Sequence, residues 1–260
     1  MPIGIEGKRI IVTGGARGIA AGAVRVFAAE RAHVVSFDRL AAEGREVAAT
    51  ATAKGPGKVD FREVDLGKRA DVVAAVDDAV ATLGGIDAVF NIAAIERTAK
   101  AHEIGEAGWN EMLSINVGGV VSMCEAIFPH MKAGGGGAII NFSSDAANQP
   151  YLNGAHYSAS KAAVISYTRT LAAEWGRFNI RANCVMPLAW TPMFDERRAR
   201  FKTPEELATY DARIASLIPL GRMGDPESDL APALVFLASD AARYISAQNL
   251  GVNGGSAWGR

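Results

Sequence analysis

Short apolar segments alternate with longer helix-like segments along almost the whole chain, and this alternation limits the possible folds more than any other feature. Segments with the length and composition of β-strands occur at residues 9–13, 33–37, 59–64, 86–90, 138–142, 180–185 and 249–252. Stretches rich in Ala, Val, Leu and Glu lie between them, among them residues 18–30, 68–83, 109–131 and 155–177. This order predicts an α/β fold: a doubly wound parallel sheet with helices on both faces.

One segment interrupts the alternation. Residues 188–224 are charged, contain Pro192, Pro204 and Pro219, and have no strand-like run. We therefore predict that residues 1–260 form a single domain, in which residues 188–224 are a lid inserted after the sixth strand.

The composition excludes several classes of protein. Hydrophobic residues make up 49% of the 260-residue chain, enough for a large core without disulfides, and Cys124 and Cys184 are the only cysteines. The formal net charge of −1 argues against a nucleic-acid partner. No apolar run reaches the roughly 18 residues of a membrane span, so we expect a cytoplasmic protein without a membrane partner. No metal site is predicted.

Polar or glycine residues occur where the predicted strands end. They are Gly14, Asp38, Asp65, Asn91, Ser144 and Pro187, which end or follow strands one to six in that order. Because open parallel sheets bind ligands at the carboxyl ends of their strands, we expect these residues to surround one binding site.

The glycine-rich turn Gly14–Gly18 joins the first strand to the first helix, as a Rossmann-type dinucleotide site requires. Asp38 ends the second strand, where a carboxylate would bond the adenosine ribose and repel a 2′-phosphate. This favours NAD as the cofactor. Arg17 and Arg39 leave NADP open, because either guanidinium could meet that phosphate.

Tyr157 and Lys161 are four residues apart in a predicted helix, so both side chains lie on one face. A phenol has an ordinary pKa of about 10 and transfers protons poorly at neutral pH. An ammonium close to it favours the phenolate, and we expect Lys161 to lower the pKa of Tyr157.

In this order along the chain, these motifs resemble those of the short-chain dehydrogenase/reductase family, classical type. By that resemblance the cofactor would be bound by Thr13, Gly14, Arg17, Gly18, Ile19, Asp38, Asp65, Leu66, Asn91, Tyr157, Lys161, Pro187 and Thr191. The resemblance implies that Asp65 and Leu66 contact the adenine and that Thr191 bonds the nicotinamide carboxamide. The resemblance gives Asn116, Ser144, Tyr157 and Lys161 the catalytic positions, with Asn116 holding a water of the proton relay. It also implies a homotetramer.

From the residues alone, three of these positions have plainer interpretations. Asn116 could be a satisfied buried amide, Ser144 a cap at a strand end, and Lys161 part of a solvated helix face.

The chain departs from the family pattern in three places. Ala20 replaces the third glycine, and Ile92 and Ala94 replace the usual Asn and Gly after Asn91. The segment from Met186 to Thr191 lacks the usual glycine and is one residue shorter. The backbone beside the nicotinamide therefore cannot be taken from the family.

The candidate substrate residues are Glu96, Asp145, Asn148 and Trp190, which follow strands four, five and six. Polar groups beside an aromatic face suit a hydroxylated ring such as a sugar or a cyclic diol. Alternatively, Asp145 and Asn148 are solvated loop residues. The run of arginines at residues 197–200 is interpreted as a solvated face of the lid.

These observations predict an NAD-dependent oxidoreductase that converts a secondary alcohol to a ketone, or the reverse, with Tyr157 as acid and base. One alternative is an NADPH-dependent carbonyl reductase of the 3-oxoacyl type. An alternative of another class is a non-catalytic NAD-binding sensor with the same fold.

Overall fold

A computed structural model of the chain describes residues 4–257, so the two ends of the predicted 1–260 domain lie outside the described residues. Its strands are β1 (Arg9–Thr13), β2 (His33–Asp38), β3 (Lys58–Glu63), β4 (Ala88–Asn91), β5 (Gly137–Phe142), β6 (Ile180–Pro187) and β7 (Asn249–Val252). They form one sheet in the order β3-β2-β1-β4-β5-β6-β7, and every pairing is parallel. The predicted fold class is confirmed. The strand order reverses between β1 and β4, and a ligand crevice is expected there.

Helices cover both faces of the sheet. They are α1 (Gly18–Ala29), α2 (Ala41–Lys54), α3 (Arg69–Leu83), α4 (Gly105–Leu113), α5 (Gly119–Ala133), α6 (Ala155–Trp175), α7 (Pro192–Arg198), α8 (Pro204–Ser216) and α9 (Ala231–Ala238). Alternate residues of β1 supply the two cores: Ile10 and Val12 pack with α1 and α9, and Ile11 packs with α3, α5 and α6. The sheet is therefore buried on both faces.

A π-helical turn, Ser114–Gly118, joins α4 to α5, and the continuous helix Gly105–Ala133 is longer than the predicted helix at residues 109–131. By length and mean hydropathy, 1.4, it is the one helix of residues 4–257 that could cross a membrane. A helix in the core of a folded domain can have the same length and hydropathy. Met112, Ile127 and Met131 of this helix are fully buried inside the domain.

Residues 188–224 contain α7 and α8, which were not predicted. Thr203 begins α8 with a capping box, in which its hydroxyl accepts the Glu206 N–H and the Glu206 carboxylate accepts the Thr203 N–H. The two ends of the segment meet, because Ala189 forms a parallel bridge with Gly224 and the Trp190 N–H donates to the Gly224 carbonyl at 2.7 Å. The segment therefore leaves the sheet at the carboxyl end of β6 and returns to nearly the same point.

Candidate active site

A cleft of about 400 Å³ opens at the carboxyl ends of the strands. The predicted site residues that line it are Gly14, Arg17, Gly18, Ile19, Asp38, Asp65, Leu66, Glu96, Tyr157, Lys161, Pro187 and Thr191. Thr13, Asn91, Asn116, Ser144, Asp145, Asn148 and Trp190 lie outside this lining. The topology therefore brings residues from distant parts of the chain to one crevice.

The glycine-rich turn forms one end of the cleft. Gly14 has φ +81°, and a Cβ there would lie 2.9 Å from the Cα of Ala93, so no larger residue fits. Gly18 has φ +59° and begins α1, whose N-terminus has no side-chain cap. Its first N–H groups are available to an anion, which fits the pyrophosphate of a dinucleotide.

The carboxylate of Asp38 is fixed at the same end of the cleft. Its Oδ2 accepts a hydrogen bond from the Ala16 N–H at 3.1 Å, and its Oδ1 accepts one from the Leu40 N–H at 3.0 Å. Arg17 and Arg39 are exposed beside it, and neither guanidinium bonds to another of the described residues. One fixed negative charge and two unpaired positive charges thus meet where the adenosine would lie.

Thr13 and Asn91 support the floor of the cleft through buried bonds. The Thr13 hydroxyl accepts the N–H groups of Ile92 and Ala93 at 3.1 and 3.2 Å, and so ties down the segment that departs from the family pattern. The Asn91 amide donates to Asn141 Oδ1 at 2.8 Å. Direct contact of either side chain with a cofactor stays a prediction.

Asp65 and Leu66 line the cleft beyond β3. The Asp65 Oδ1 accepts the Gly67 N–H at 3.0 Å, which closes a tight turn and holds both residues at the predicted adenine position. Their contact with an adenine stays a prediction.

Asn116 lies in the π-helical turn and is 1% exposed. Its amide forms two reciprocal bonds with the backbone of Ile95, each 2.9 Å long, and also donates to Ser160 Oγ at 3.2 Å. The amide is satisfied and buried, and it joins the segment after β4 to α6. Its part in a proton relay stays a prediction.

Tyr157, Ser144 and Lys161 come together where β5 ends and α6 begins. Ser144 hydrogen-bonds to the Tyr157 hydroxyl, and its Oγ also caps a short turn by accepting the Ala146 N–H at 3.2 Å. The Lys161 Nζ lies 5.8 Å from the centre of the Tyr157 ring and donates to the Phe142 carbonyl at 2.9 Å. Lys161 is 3% exposed, so it is not part of a solvated helix face.

The pKa of Tyr157 differs from the one expected from the sequence. Burial raises the pKa of Tyr157 above its ordinary value, and the bond from Ser144 only partly opposes this. Burial also lowers the pKa of Lys161 to about 8. The expected lowering of the Tyr157 pKa by Lys161 is therefore wrong for this structure, because desolvation outweighs the groups that lower this pKa, and those groups are Ser144 and Arg197 rather than Lys161.

Thr191 lies across the cleft from the glycine turn. A Cβ at Gly18 would lie 3.7 Å from the Thr191 Cγ2. The Thr191 Oγ1 is buried and has no hydrogen-bond partner among the described residues. A bond to Val252 holds the short loop before it, where the Leu188 N–H donates to the Val252 carbonyl at 3.1 Å. An unsatisfied hydroxyl at this position fits the predicted bond to a nicotinamide carboxamide.

Glu96 belongs to a polar network at the substrate side of the cleft. Its Oε1 accepts bonds from Arg197 Nη2, at 2.7 Å, and from the Tyr151 hydroxyl. Arg198 is also paired, with Asp211 of α8 at 2.8 Å. The interpretation of residues 197–200 as a solvated lid face is therefore wrong for Arg197 and Arg198.

Asp145 is bonded within the protein rather than solvated. Its Oδ1 accepts the Asn253 amide at 2.7 Å, and its Oδ2 accepts the Ser256 hydroxyl. This ties the loop that carries Ser144 to the C-terminal part of the chain. Contact of Asp145 with a substrate stays a prediction.

Asn148 is exposed and Trp190 is partly buried, and both side chains form bonds within the protein. The Asn148 amide donates to Met186 Sδ at 3.1 Å, and the Trp190 indole N–H donates to Asp195 Oδ1 at 2.8 Å. The guanidinium of Arg198 lies 4.9 Å from the centre of the Trp190 ring.

Sequence reasoning did not name Tyr151 or Arg197 as site residues. Both reach Glu96 from distant segments, and no local pattern around either indicates this contact. Among residues 4–257, no group of three or more His, Cys, Asp or Glu residues could hold a metal ion.

The chain is similar to known proteins over most of its length. A family model described as Enoyl-(Acyl carrier protein) reductase matches residues 14–257. The chain is 36% identical over 251 residues to D-threitol dehydrogenase of Mycolicibacterium smegmatis, covering 96% of this chain and 93% of that protein. It is 35% identical over 251 residues to a 3-oxoacyl-[acyl-carrier-protein] reductase of Chlamydia trachomatis, covering 96% and 97%. A short-chain type dehydrogenase/reductase from Mycobacterium ulcerans has a similar structure, with TM-score 0.89 and 26% identity over 97% of this chain and 90% of that one.

The fold, the site and these relatives define an oxidoreductase that interconverts alcohols and ketones with a nicotinamide cofactor. The chain belongs to the short-chain dehydrogenase/reductase family, classical type.

Proposed function

We propose that this protein is an NAD-dependent dehydrogenase of a secondary alcohol, with a hydroxylated ring such as a sugar or a cyclic diol as substrate. The observation that carries the choice of cofactor is the Asp38 carboxylate, which two backbone N–H groups hold at the adenosine end of the cleft. A fixed carboxylate accepts bonds from the ribose hydroxyls and repels a 2′-phosphate.

Residues of this chain would hold the cofactor along the cleft. The turn from Gly14 to Gly18 and the N-terminus of α1 suit the pyrophosphate, and the unpaired Thr191 hydroxyl suits the carboxamide. When bound, the nicotinamide supplies or accepts the hydride.

The protein supplies position and proton transfer. Ser144 holds the substrate oxygen next to the Tyr157 hydroxyl, and Tyr157 takes the proton of the alcohol or returns one to the ketone. The raised pKa keeps Tyr157 protonated at neutral pH, which suits reduction, whereas oxidation needs the phenolate and gains from rising pH. Lys161 lies beside the ring and orients α6 through its bond to Phe142.

A second candidate is an NADPH-dependent 3-oxoacyl-type reductase. The unpaired guanidinium groups of Arg17 and Arg39 beside Asp38 favour it, as does the likeness to the Chlamydia trachomatis enzyme. Comparison of kcat/KM for NADH and NADPH separates the two, and a preference for NADPH overturns our cofactor assignment.

The function itself is tested by a screen of NAD reduction with sugars, cyclic diols, aryl alcohols and hydroxyacyl thioesters. We expect turnover on a hydroxylated substrate, with Tyr157→Phe as the inactive control. Tight NAD binding without turnover on any compound would instead favour the sensor alternative.

We also propose a cytoplasmic homotetramer, on the strength of the family resemblance. Light scattering coupled to gel filtration measures the mass of the assembly. A monomer or a dimer at working concentration contradicts the proposal.

A further inference from the structure

Three segments that are far apart in sequence meet at the Glu96 carboxylate. Glu96 follows β4, Tyr151 follows β5, and Arg197 lies in α7 of residues 188–224. Arg197 Nη2 lies 2.7 Å from Glu96 Oε1 and 3.3 Å from the Tyr151 hydroxyl, which itself donates to the same Oε1. The three side chains therefore form one closed hydrogen-bonded network.

This network faces the reacting group. Glu96 lines the cleft together with Tyr157 and Lys161. The Tyr151 ring packs edge-on against the Tyr157 ring, with centres 6.0 Å apart and planes at 61°. A substrate whose carbinol is held by Tyr157 and Ser144 would thus have its neighbouring atoms beside Glu96.

One oxygen of the carboxylate remains available. Both bonds end on Oε1, and Oε2 accepts no hydrogen bond from the described residues. The Glu96 side chain is 15% exposed and lines the cleft, so Oε2 can contact a molecule that binds there. A carboxylate accepts bonds and donates none, so a hydroxyl or another N–H or O–H group is the partner that Oε2 can take.

Both hydrogen-bond donors of this network, Tyr151 and Arg197, stay protonated at neutral pH. Burial and the Glu96 carboxylate raise the pKa of Tyr151, so its hydroxyl stays a donor. Burial disfavours the charge on Arg197, but its bond to Tyr151 and the attraction of Glu96 outweigh this and raise the pKa of Arg197. Glu96 is therefore held in one orientation by two permanent donors.

We propose that Arg197 and Tyr151 position Glu96 so that Oε2 accepts a hydrogen bond from a second substrate hydroxyl, next to the carbon that is oxidised. The enzyme then favours diols and polyols over simple alcohols. Glu96 is the specificity-determining residue, and Arg197 is a positioning residue that acts only when α7 is docked. This inference rests on the proposed function and names its substrate class.

The test compares a diol with the matching mono-alcohol, using NAD: cyclohexane-1,2-diol with cyclohexanol, and butane-2,3-diol with butan-2-ol. A site built to bond a hydroxyl discriminates against the analogue that lacks it, and we expect kcat/KM at least about 10-fold higher for the diol. Arg197→Met should lower kcat/KM on the diol by about 10- to 100-fold more than it lowers kcat/KM on the mono-alcohol, measured at the same pH.

Arg198→Met is the matched control. Arg198 is the next residue of the same helix and loses a comparable ion pair, with Asp211 at 2.8 Å, but has no bond to Glu96. We expect it to affect both substrates equally. Arg197→Lys keeps the charge, and it should restore part of the diol preference.

Each outcome decides between the two proposals. The inference is overturned if the ratio of kcat/KM on the diol to kcat/KM on the mono-alcohol is the same in Arg197→Met and Arg198→Met. It is also overturned if the wild-type enzyme prefers the mono-alcohol. Both outcomes leave the proposed function standing. Oxidation of neither substrate in either pair, with NAD still bound, contradicts the proposed function and this inference with it. If Arg197→Met does not fold, Tyr151→Phe and Glu96→Gln should each reduce the diol preference, and unchanged preference in both also overturns the inference.

Discussion

The Nζ of Lys161 donates a hydrogen bond to the carbonyl oxygen of Phe142 at 2.9 Å, and so ties α6 to the end of β5. The lysine is 3% exposed, and its ammonium has no carboxylate partner among the described residues. Burial of an ammonium lowers its pKa, here to about 8, and a lowered pKa means that the folded protein disfavours the charge. The buried charge of Lys161 therefore lowers the stability of the folded protein, and we expect it to be kept for its part in catalysis.

Replacement of Lys161 by Met should stabilise the protein while it abolishes turnover. We expect the free energy of unfolding at pH 7 to rise by about 1–3 kcal/mol, since both the folded and unfolded states are charged there and only the folded state is penalised. The cost of the buried charge declines as the pH rises from about 8 towards 10.5, the ordinary pKa of a lysine. The stabilisation produced by Lys161→Met should therefore decline over the same pH range. Denaturant unfolding at pH 7 and pH 10 measures this, with Lys54→Met at an exposed position as the control. A loss of stability at pH 7 contradicts the prediction.

Replacement of Tyr157 by Phe should leave folding and NAD binding intact, because only the hydroxyl is lost. Turnover should fall by about 10²- to 10⁴-fold, the usual weight of general acid–base catalysis. Tyr167→Phe, on the same helix but partly buried against the core, is the control and should keep near-normal turnover. Steady-state kinetics with matched NAD-binding measurements check both, and near-normal turnover of the Tyr157 variant would disprove the mechanism.

The pH dependence of oxidation should follow the charges that face Tyr157. Burial raises the pKa of Tyr157; Ser144 lowers it, Glu96 and Tyr151 raise it, and Arg197 lowers it.

Oxidation needs the phenolate, so its rate should rise with pH. Glu96→Gln removes a negative charge and should move this rise to lower pH, whereas Arg197→Met should move it to higher pH. Profiles of kcat against pH measure the shifts, with Glu103→Gln, an exposed partner of Lys100, as the control. Shifts of equal sign in the two variants are incompatible with this arrangement.

Replacement of Asp38 by Asn should reduce the ratio of kcat/KM for NAD to kcat/KM for NADP. The amide keeps one acceptor for the Ala16 or Leu40 N–H but removes the charge that repels a 2′-phosphate. A charge-assisted bond contributes roughly 1.5–3 kcal/mol, so kcat/KM for NAD should fall about 10-fold or more while that for NADP rises. An unchanged ratio would mean that Asp38 serves only to hold the turn.

The sheet could be predicted from sequence because each strand is a short β-branched or apolar run between turn residues. The largest error at a strand start is at β4, which begins at Ala88 rather than at residue 86. There the Asp87 carboxylate, rather than a backbone carbonyl, accepts the Arg9 N–H at 2.8 Å, and the paired residues of the ladder begin at Ala88. The two helices in residues 188–224 were not predicted, although Thr203 and Glu206 have the spacing of a capping box.

The candidate site could be predicted only in part. Motif order located the residues that line the cleft, since strand ends converge in any parallel sheet. The network around Glu96 could not be found this way, because Arg197 lies 101 residues from it and reaches it only through the orientation of α7. The burial of Lys161 was equally hidden: helical spacing places it beside Tyr157 but does not show that both groups are desolvated.

The π-helical turn at Ser114–Gly118 has a consequence for the length of the chain. A π turn contains about one residue more than an α-helical turn, and each residue rotates a helix by about 100°. With the extra residue, Met112 and Met123 both point into the core while Asn116 points at Ile95. Removal of any single residue here would restore α-helical phase and turn one half of the helix away from its partners. At this turn the protein depends on the number of residues as much as on their identity.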